Sequence, residues 1–168
     1  RGLEGPAKGD PTPQKAAARS AVERDSVFVS YSHKDSRWLD MLQVHVKPLT
    51  RRRRLTIWDD TQIRPGAAWK EEIRRALATA KVAVLMVSPH FLASDFITDE
   101  EVPALLAAAE EAGLTVLWFV VSACSYDETD IPKYQAVLDL KQPLAGLTDA
   151  EVDAAFVKIC KKISDAVK

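Results

Sequence analysis

The sequence predicts an α/β fold of the flavodoxin-like, doubly wound type, with a mainly parallel five-stranded sheet and helices on both faces. Short apolar runs alternate with longer segments in which apolar residues recur at helical spacing. This alternation favours parallel strands joined by right-handed helical crossovers. The chain has 168 residues, of which 47% are hydrophobic and 28% charged, so it can form one domain with a substantial core.

The first half of the predicted domain contains three strands and two helices. Residues 27–31 form a β-branched and aromatic run, 55–58 form a second short strand, and 82–87 are entirely apolar. Between these strands, residues 36–49 and 67–80 carry apolar side chains on one helical face. Strands and helices thus alternate along the chain, as in repeated βαβ units.

In the second half of the domain, individual residues mark where helices end or begin. We predict a helix over 100–112, a strand over 114–121, a weak fifth strand around 134–140 and a final helix from Thr148. Gly113 follows the first of these helices and suits a left-handed helix end. Thr148 and Glu151 match the capping-box pattern that starts a helix.

Residues 1–25 have the composition of a linker or flexible tail. They contain three glycines and three prolines, and almost no large apolar side chains. They also lack the apolar core of a signal peptide. We therefore expect the folded domain to occupy residues 26–168, and the N-terminal segment to join it to an upstream sensor or oligomerisation domain.

Charge and cysteine usage indicate a cytoplasmic protein. The net charge of -1 provides no general attraction to nucleic acid or to an anionic membrane, and the run Arg51–Arg54 is typical of a solvated helix end. Cys124 and Cys160 form neither a disulfide framework nor a metal-ligand motif. The longest apolar stretches, 82–87 and 114–121, are well short of the roughly 20 residues of a membrane-spanning helix.

Polar side chains are concentrated where the first two predicted strands end. They are Ser30, Tyr31, Ser32, His33, Asp35, Asp59 and Asp60. In an open α/β sheet, ligands bind outside the carboxyl ends of the strands. The sequence therefore predicts a binding or catalytic site at this edge.

Missing motifs exclude several other kinds of site. Only three glycines follow residue 25, and none belongs to a dinucleotide-binding or P-loop motif. The third strand is followed by Ser88 rather than by the aspartate of a phosphate-accepting receiver domain. His45 and His90 are isolated in the sequence, so we expect no metal site.

Three segments resemble the Toll/interleukin-1 receptor (TIR) domains of bacterial immune effectors. Residues 27–31 resemble the first family box, 60–66 resemble the second box with its BB loop, and 88–94 resemble the segment before the catalytic helix. The resemblance covers roughly residues 26–165. It implies either an NAD⁺ glycohydrolase activated by self-association, with a role in antiphage or innate immune defence, or a non-enzymatic adaptor that only assembles. A SEFIR-type module is a weaker alternative.

The resemblance places the catalytic glutamate at Glu101, which precedes the aliphatic Val102, with Glu100 as the alternative. Loss of nicotinamide passes through an oxocarbenium-like transition state that an ionised carboxylate stabilises. Nicotinamide leaves as a neutral molecule, so no general acid is required. Acidic residues at a helix start also have a purely structural explanation, because they complement the helix dipole.

Further residues are assigned to substrate and to assembly. By resemblance, Ser30, Tyr31 and Asp60 lie near the substrate cleft. Ser32 and Asp35 are candidates for binding ribose hydroxyls, and Trp38 for stacking on a base. NAD⁺ is expected as a substrate, with no cofactor. The BB-loop residues expected to contact a neighbouring copy are Ile63, Arg64, Pro65 and Gly66.

Overall fold

The computed structural model of the chain describes residues 25–53, 55–63 and 68–168. Its centre is a five-stranded sheet in the order β2-β1-β3-β4-β5, and each neighbouring pair of strands is parallel. The strands are β1 (Ser26–Ser30), β2 (Thr56–Trp58), β3 (Ala80–Val87), β4 (Thr115–Val120) and β5 (Gln135–Ala136). This is the strand order of a flavodoxin-like domain, so the predicted fold class is confirmed.

Five α-helices and one π-helical turn pack on the described sheet. The helices are α1 (Ser36–Arg53), α2 (Trp69–Thr79), α3 (Pro89–Ala93), α4 (Val102–Ala112) and α5 (Asp149–Ala166), and the π-helical turn is Ile97–Glu101. Short 3₁₀ turns, His33–Asp35 and Asp60–Gln62, follow β1 and β2. Among the described residues, no helix has the length and apolar character needed to span a bilayer.

The two faces of the sheet form two separate hydrophobic cores. Alternate strand residues point to opposite faces, so Val27 contributes to one core and Phe28 to the other. Helices α1 and α5 cover the first core, whereas α2 and α4 cover the second. Burial on both faces explains why β3 is continuously apolar.

Parallel pairing brings the segments after β1, β2 and β3 to one edge of the sheet. Strand β1 lies in the middle, pairing Phe28 with Trp58 on one side and Val29 with Val84 on the other. The polar residues predicted at the strand ends therefore come together. This edge carries the candidate site.

Two helix boundaries predicted in the second half are confirmed, the end at Gly113 and the start at Thr148, whereas the helix predicted from residue 100 begins at Val102, after the π-helical turn. Gly113 has φ +72°, the left-handed conformation that glycine adopts most readily. The Thr148 hydroxyl accepts from the Glu151 backbone N–H at 3.3 Å, and the Glu151 carboxylate accepts from the Thr148 N–H at 3.1 Å. These two reciprocal bonds begin α5 as its sequence predicts.

Other boundaries differ from the predictions. Helix α1 passes through Pro48 and ends at Arg53 rather than at residue 49. The exposed Arg51 to Arg53 thus form its last turn, where cations complement the helix dipole. Strand β5 has only two residues. The segment 1–24 of the predicted linker lies outside the described residues.

Candidate functional site

A cleft of about 500 Å³ opens at the carboxyl edge of the sheet. Its walls come from the segment after β1, the turn after β2, helix α3 and the π-helical turn. The residues that line it are Tyr31, Ser32, His33, Lys34, Asp60, His90, Ala93, Ser94, Phe96 and Ile97. The cleft is therefore polar on the strand side and mixed on the helical side.

The π-helical turn places the side chains of the two candidate glutamates in different environments. The Val102 N–H bonds to the Ile97 carbonyl five residues earlier, so the turn holds one residue more than an α-helical turn. Glu101 ends this turn and is 4% exposed. Glu100 faces outward, with its carboxylate 3.7 Å from the Lys70 Nζ. An α-helical turn would orient these two side chains differently. The extra residue of the π-helical turn therefore helps to determine which glutamate is buried.

The surroundings of Glu101 raise its pKa from the usual 4.5 to about 7. Burial is the largest cause, because it disfavours the charged carboxylate. The negative charge of Asp60 raises the pKa further, whereas the Ser30 hydroxyl and the charge of His33 lower it. Near neutral pH, this carboxylate is poised between its two protonation states.

Ser30 lies at the end of β1 and is fully buried. Its hydroxyl is close enough to Glu101 to favour the ionised carboxylate. The Ser30 Oγ nevertheless makes no hydrogen bond of good geometry among the described residues. Like Glu101, Ser30 is not among the residues that line the cleft.

Asp60, His33 and Tyr31 form a polar group on the cleft wall. The His33 Nε2 lies 2.6 Å from the Asp60 Oδ2. The other carboxylate oxygen of Asp60 is buried and has no hydrogen-bond partner among the described residues. Burial, followed by the charges of Asp60 and Asp59, raises the pKa of Tyr31 well above its usual value, so its phenol remains a hydrogen-bond donor.

Asp59 has a structural position instead. Its carboxylate accepts from the Thr61 N–H at 2.9 Å, from the Thr61 hydroxyl, and from the Gln43 side-chain amide at 3.2 Å. It therefore caps the 3₁₀ turn that begins at Asp60.

Ser32 and Asp35, both predicted to bind ribose hydroxyls, occupy different environments. Ser32 lines the cleft and accepts from the Lys34 N–H at 3.3 Å. Asp35 is buried, and its carboxylate accepts from the Ser88 hydroxyl at 2.5 Å. Since Ser88 also caps α3 by accepting from the Phe91 N–H, Asp35 fixes the end of β1 to the start of α3.

Trp38 lies in the hydrophobic core covered by α1 and α5, not in the cleft wall. It is 6% exposed, and the Arg37 guanidinium lies 4.5 Å from its ring centre. A base could stack on this ring only by displacing the guanidinium. The prediction of a stacking role for Trp38 is therefore corrected to a packing role.

Comparison with known protein families identifies the fold. The TIR domain family model matches residues 27–158, which is most of the chain. The chain belongs to the TIR domain family. It is also 30% identical over 145 residues to "Uncharacterized protein y4lF" of Sinorhizobium fredii (strain NBRC 101917 / NGR234). The alignment covers 84% of this chain and 43% of that relative, so the chain spans less than half of the relative's length.

The BB-loop segment of this TIR domain is described only at its start. Ile63 is partly buried and packs against the core covered by α2 and α4. Its N–H bonds to the Asp60 carbonyl at 3.1 Å, which closes the preceding turn. Arg64, Pro65 and Gly66 lie outside the described residues, so their assembly role stays a prediction.

Sequence reasoning missed the helical wall of the cleft. His90 in α3, together with Ser94 and Phe96 before the π-helical turn, lines the cleft. Phe96 also packs edge-on against Trp69, with ring centres 4.5 Å apart. The sequence signal was the resemblance of 88–94 to the segment before the catalytic helix, from which we had selected no residue.

Proposed function

We propose that this TIR domain is an NAD⁺ glycohydrolase that cleaves the bond between nicotinamide and ribose, with Glu101 as the catalytic carboxylate. The main support is the position of Glu101, a buried carboxylate beside a polar cleft at the carboxyl edge of the sheet. The environment of Glu101 disfavours the ionised form of its carboxyl group. A carboxyl group with a raised pKa destabilises the folded state at neutral pH, and perturbed pKa values are concentrated at functional sites.

The chemistry requires one carboxylate. As the bond between ribose C1′ and the pyridinium nitrogen breaks, its electron pair leaves with nicotinamide and the sugar becomes oxocarbenium-like. Ionised Glu101 stabilises that cation or adds to it. Attack by water at C1′ then yields ADP-ribose and a proton, so atoms and charge balance.

Substrate binding favours the reactive form of Glu101. The nicotinamide ring of NAD⁺ carries a positive charge, and a nearby positive charge lowers the pKa of a carboxyl group. Glu101, with a pKa of about 7 in the free protein, therefore ionises more completely when NAD⁺ is bound. The positive charge of bound nicotinamide thus pairs with the buried carboxylate of Glu101.

The polar cleft wall suits the rest of the dinucleotide. Asp60 and Ser32 present acceptors suited to ribose hydroxyls, and Tyr31 presents a donor. His33 and Lys34 lie on the same wall, where a cationic side chain can bind phosphate oxygens. We therefore assign the ribose next to nicotinamide to the Asp60 side of the cleft.

Assembly is proposed as the activating step. Glu101 is 4% exposed and does not line the open cleft, so the helical wall has to move before a sugar can reach its carboxylate. TIR domains generally self-associate. We propose that contact between copies, through the loop from Ile63 to Gly66, opens this wall in a defence response.

The buried position of Glu101 also favours a second candidate, a TIR adaptor that assembles without catalysis. In that case the carboxylate would never contact a substrate, and clustering would produce no turnover. The acidic side chain would then be a cost to folding without a catalytic use.

The deciding experiment follows nicotinamide release from NAD⁺ by chromatography. The full chain is clustered through an affinity tag on vesicles, and the wild type is compared with Glu101→Gln and Glu100→Gln. We expect turnover from the wild type and from Glu100→Gln, and none from Glu101→Gln. Turnover by Glu101→Gln at the wild-type rate would refute the assignment, and an inactive clustered wild type would favour the adaptor.

A further inference from the structure

A serine lies at each of the two bends in the helical wall of the cleft. Ser88 lies between β3 and α3, where its hydroxyl oxygen accepts from the Phe91 N–H at 3.0 Å. Ser94 lies between α3 and the π-helical turn. Its hydroxyl oxygen accepts from the Ile97 N–H at 3.3 Å, and its carbonyl accepts from the Thr98 N–H at 3.0 Å. Each serine thus orders the first turn of the helical segment that follows it.

The first bend is joined to the strand side of the cleft by Asp35. This residue follows β1, is 7% exposed, and accepts from the Ser88 hydroxyl at 2.5 Å. Its backbone N–H bonds to the Ser32 carbonyl at 2.8 Å, so the main chain at Asp35 is held as well. Hydrogen bonds to an ionised acceptor are roughly twice as strong as those between neutral groups. The bond between Asp35 and Ser88 is therefore a firm link between distant segments of the chain.

The position of α3 is coupled to that of Glu101 through the hydrophobic core. Phe91 on α3 is fully buried, and it belongs to the same core cluster as Ile97 and Val102. Ile97 begins the π-helical turn and Val102 follows it, so these two residues flank the segment that ends at Glu101. Interiors packed at crystal-like density transmit such displacements. A shift of α3 would therefore disturb the core contacts on both sides of the glutamate.

We propose that Asp35 is a positioning residue for the reaction: through the Ser88 hydroxyl it holds α3, and α3 in turn holds the π-helical turn that ends at Glu101. Asp35 is buried and is not among the residues that line the cleft, so it acts through Ser88 and not on the substrate. The effect on rate rests on the proposed function of Glu101, whereas the link from Asp35 to the wall does not.

Two variants weaken the link in different ways. Asp35→Asn keeps the shape of the side chain but removes the charged acceptor, whereas Ser88→Ala removes the donor and changes no charge. In each variant, kcat of the clustered full chain should fall by roughly tenfold or more, because a misplaced catalytic group can cost about 100-fold. If Asp35 acts through Ser88, the double variant should be no slower than Ser88→Ala, whereas independent effects would multiply. Nicotinamide release, normalised to folded protein by circular dichroism, measures all three.

The pH midpoint of kcat/KM separates positioning from a loss of stability. A loosened wall admits water to Glu101, which lowers the pKa of its carboxyl group from about 7 toward the usual 4.5. The midpoint should therefore move to lower pH in Asp35→Asn and in Ser88→Ala. Asp60 and His33, the charged groups that shift this pKa, are the same in both variants. A smaller folded fraction would reduce the rate and leave the midpoint in place.

Amide hydrogen exchange of residues 88–101 tests the link without NAD⁺. Exchange in this segment should be faster in Asp35→Asn and in Ser88→Ala than in the wild type. Asp59→Asn is the matched control, because it neutralises a buried aspartate after the neighbouring strand whose bonds go to Thr61 and Gln43 and not to the wall. The control should leave the exchange of this segment and the pH midpoint as they are in the wild type.

The outcomes separate this inference from the proposed function. Wild-type exchange in both link variants would overturn the link. Faster exchange with unchanged kcat and midpoint would overturn the positioning role and leave Glu101 as the catalytic residue. Variants faster than the wild type would also overturn it, because the bond would then hold the wall closed. A clustered wild type without turnover would refute the proposed function and with it the effect on rate, and the exchange measurement alone would decide the link.

Discussion

Two buried carboxylates near the same edge of the sheet are held in opposite ways. Asp59, 1% exposed, accepts hydrogen bonds from the backbone and hydroxyl of Thr61 and from the amide of Gln43. Glu101, 4% exposed, lies where burial raises its pKa to about 7, and the Ser30 hydroxyl offsets this only in part. The Asp59 carboxylate thus has hydrogen-bond donors that stabilise its charge, whereas the charge of the Glu101 carboxylate is poorly stabilised.

This difference separates a structural carboxylate from a candidate catalytic one. A capping aspartate is stabilised in the folded state, so its removal should weaken the fold. A buried acid with a raised pKa is destabilised in its charged form, so its removal should strengthen the fold at neutral pH. Burial alone does not distinguish the two residues, whereas their hydrogen-bond partners do.

The largest expected effect is on catalysis. Glu101→Gln should lower kcat by on the order of 10² to 10³ or more, because the amide cannot supply the negative charge that stabilises the transition state. Asp59→Asn should retain substantial activity in the folded fraction, because Asp59 does not line the cleft. Nicotinamide release by the clustered proteins, normalised to folded protein by circular dichroism, measures both. Equal losses in the two variants would remove the distinction between the carboxylates.

The central strands and the helix boundaries were accessible from the sequence for local reasons. The apolar run of β3, the left-handed Gly113 and the Thr148 cap each depend on residues close in sequence. Their physical causes act over one or two turns of chain. These features were therefore predicted correctly, although helix α1 extended further than its pattern indicated.

The candidate site was less accessible because its geometry depends on packing between distant segments. Asp35 and Ser88 are 53 residues apart, and their bond removes Asp35 from the set of residues free to bind a ligand. The π-helical turn leaves no periodic signal in the sequence, yet it is the turn that ends at the buried Glu101. Trp38 resembled a binding residue because its burial in the core cannot be read from its position after a polar cluster.

Stability should change in opposite directions in the two variants. Folded Glu101 keeps its proton between pH 4.5 and about 7, where an unfolded chain has lost it. Wild-type stability therefore falls as pH rises through this window, and Glu101→Gln removes the loss. At pH 8, the variant should be more stable by roughly 3 kcal/mol, since one pKa unit corresponds to about 1.4 kcal/mol.

Urea unfolding at pH 4 and at pH 8 measures this change. The advantage of Glu101→Gln over the wild type should be small at the lower pH and large at the higher one. Glu100→Gln is the control, because its side chain is 46% exposed and pairs with Lys70 at the surface. A pH-independent difference would contradict the assigned cause.

Asp59→Ala is expected to lower the free energy of unfolding by about 1 to 3 kcal/mol, because it removes a cap and leaves the Gln43 amide and the Thr61 N–H without their acceptor. The same urea experiment measures it. Asp40→Ala on the exposed face of α1 is a matched control with the same loss of charge. A variant as stable as the wild type would show that Asp59 contributes no net stability to the turn after β2.

The smallest effect is a shift in the pH profile. In the wild type, kcat/KM should rise with pH and reach half its maximum near pH 7, because this parameter reports the free enzyme and requires ionised Glu101. Asp60→Asn removes a negative charge that raises the pKa of Glu101, and this charge outweighs the opposing one of His33. The midpoint should therefore move to lower pH, even if the loss of Asp60 also raises KM.

Asp40→Asn, with the same charge change on an exposed face of α1, should leave the midpoint in place. An unchanged midpoint in Asp60→Asn would mean that a group other than Glu101 governs the profile.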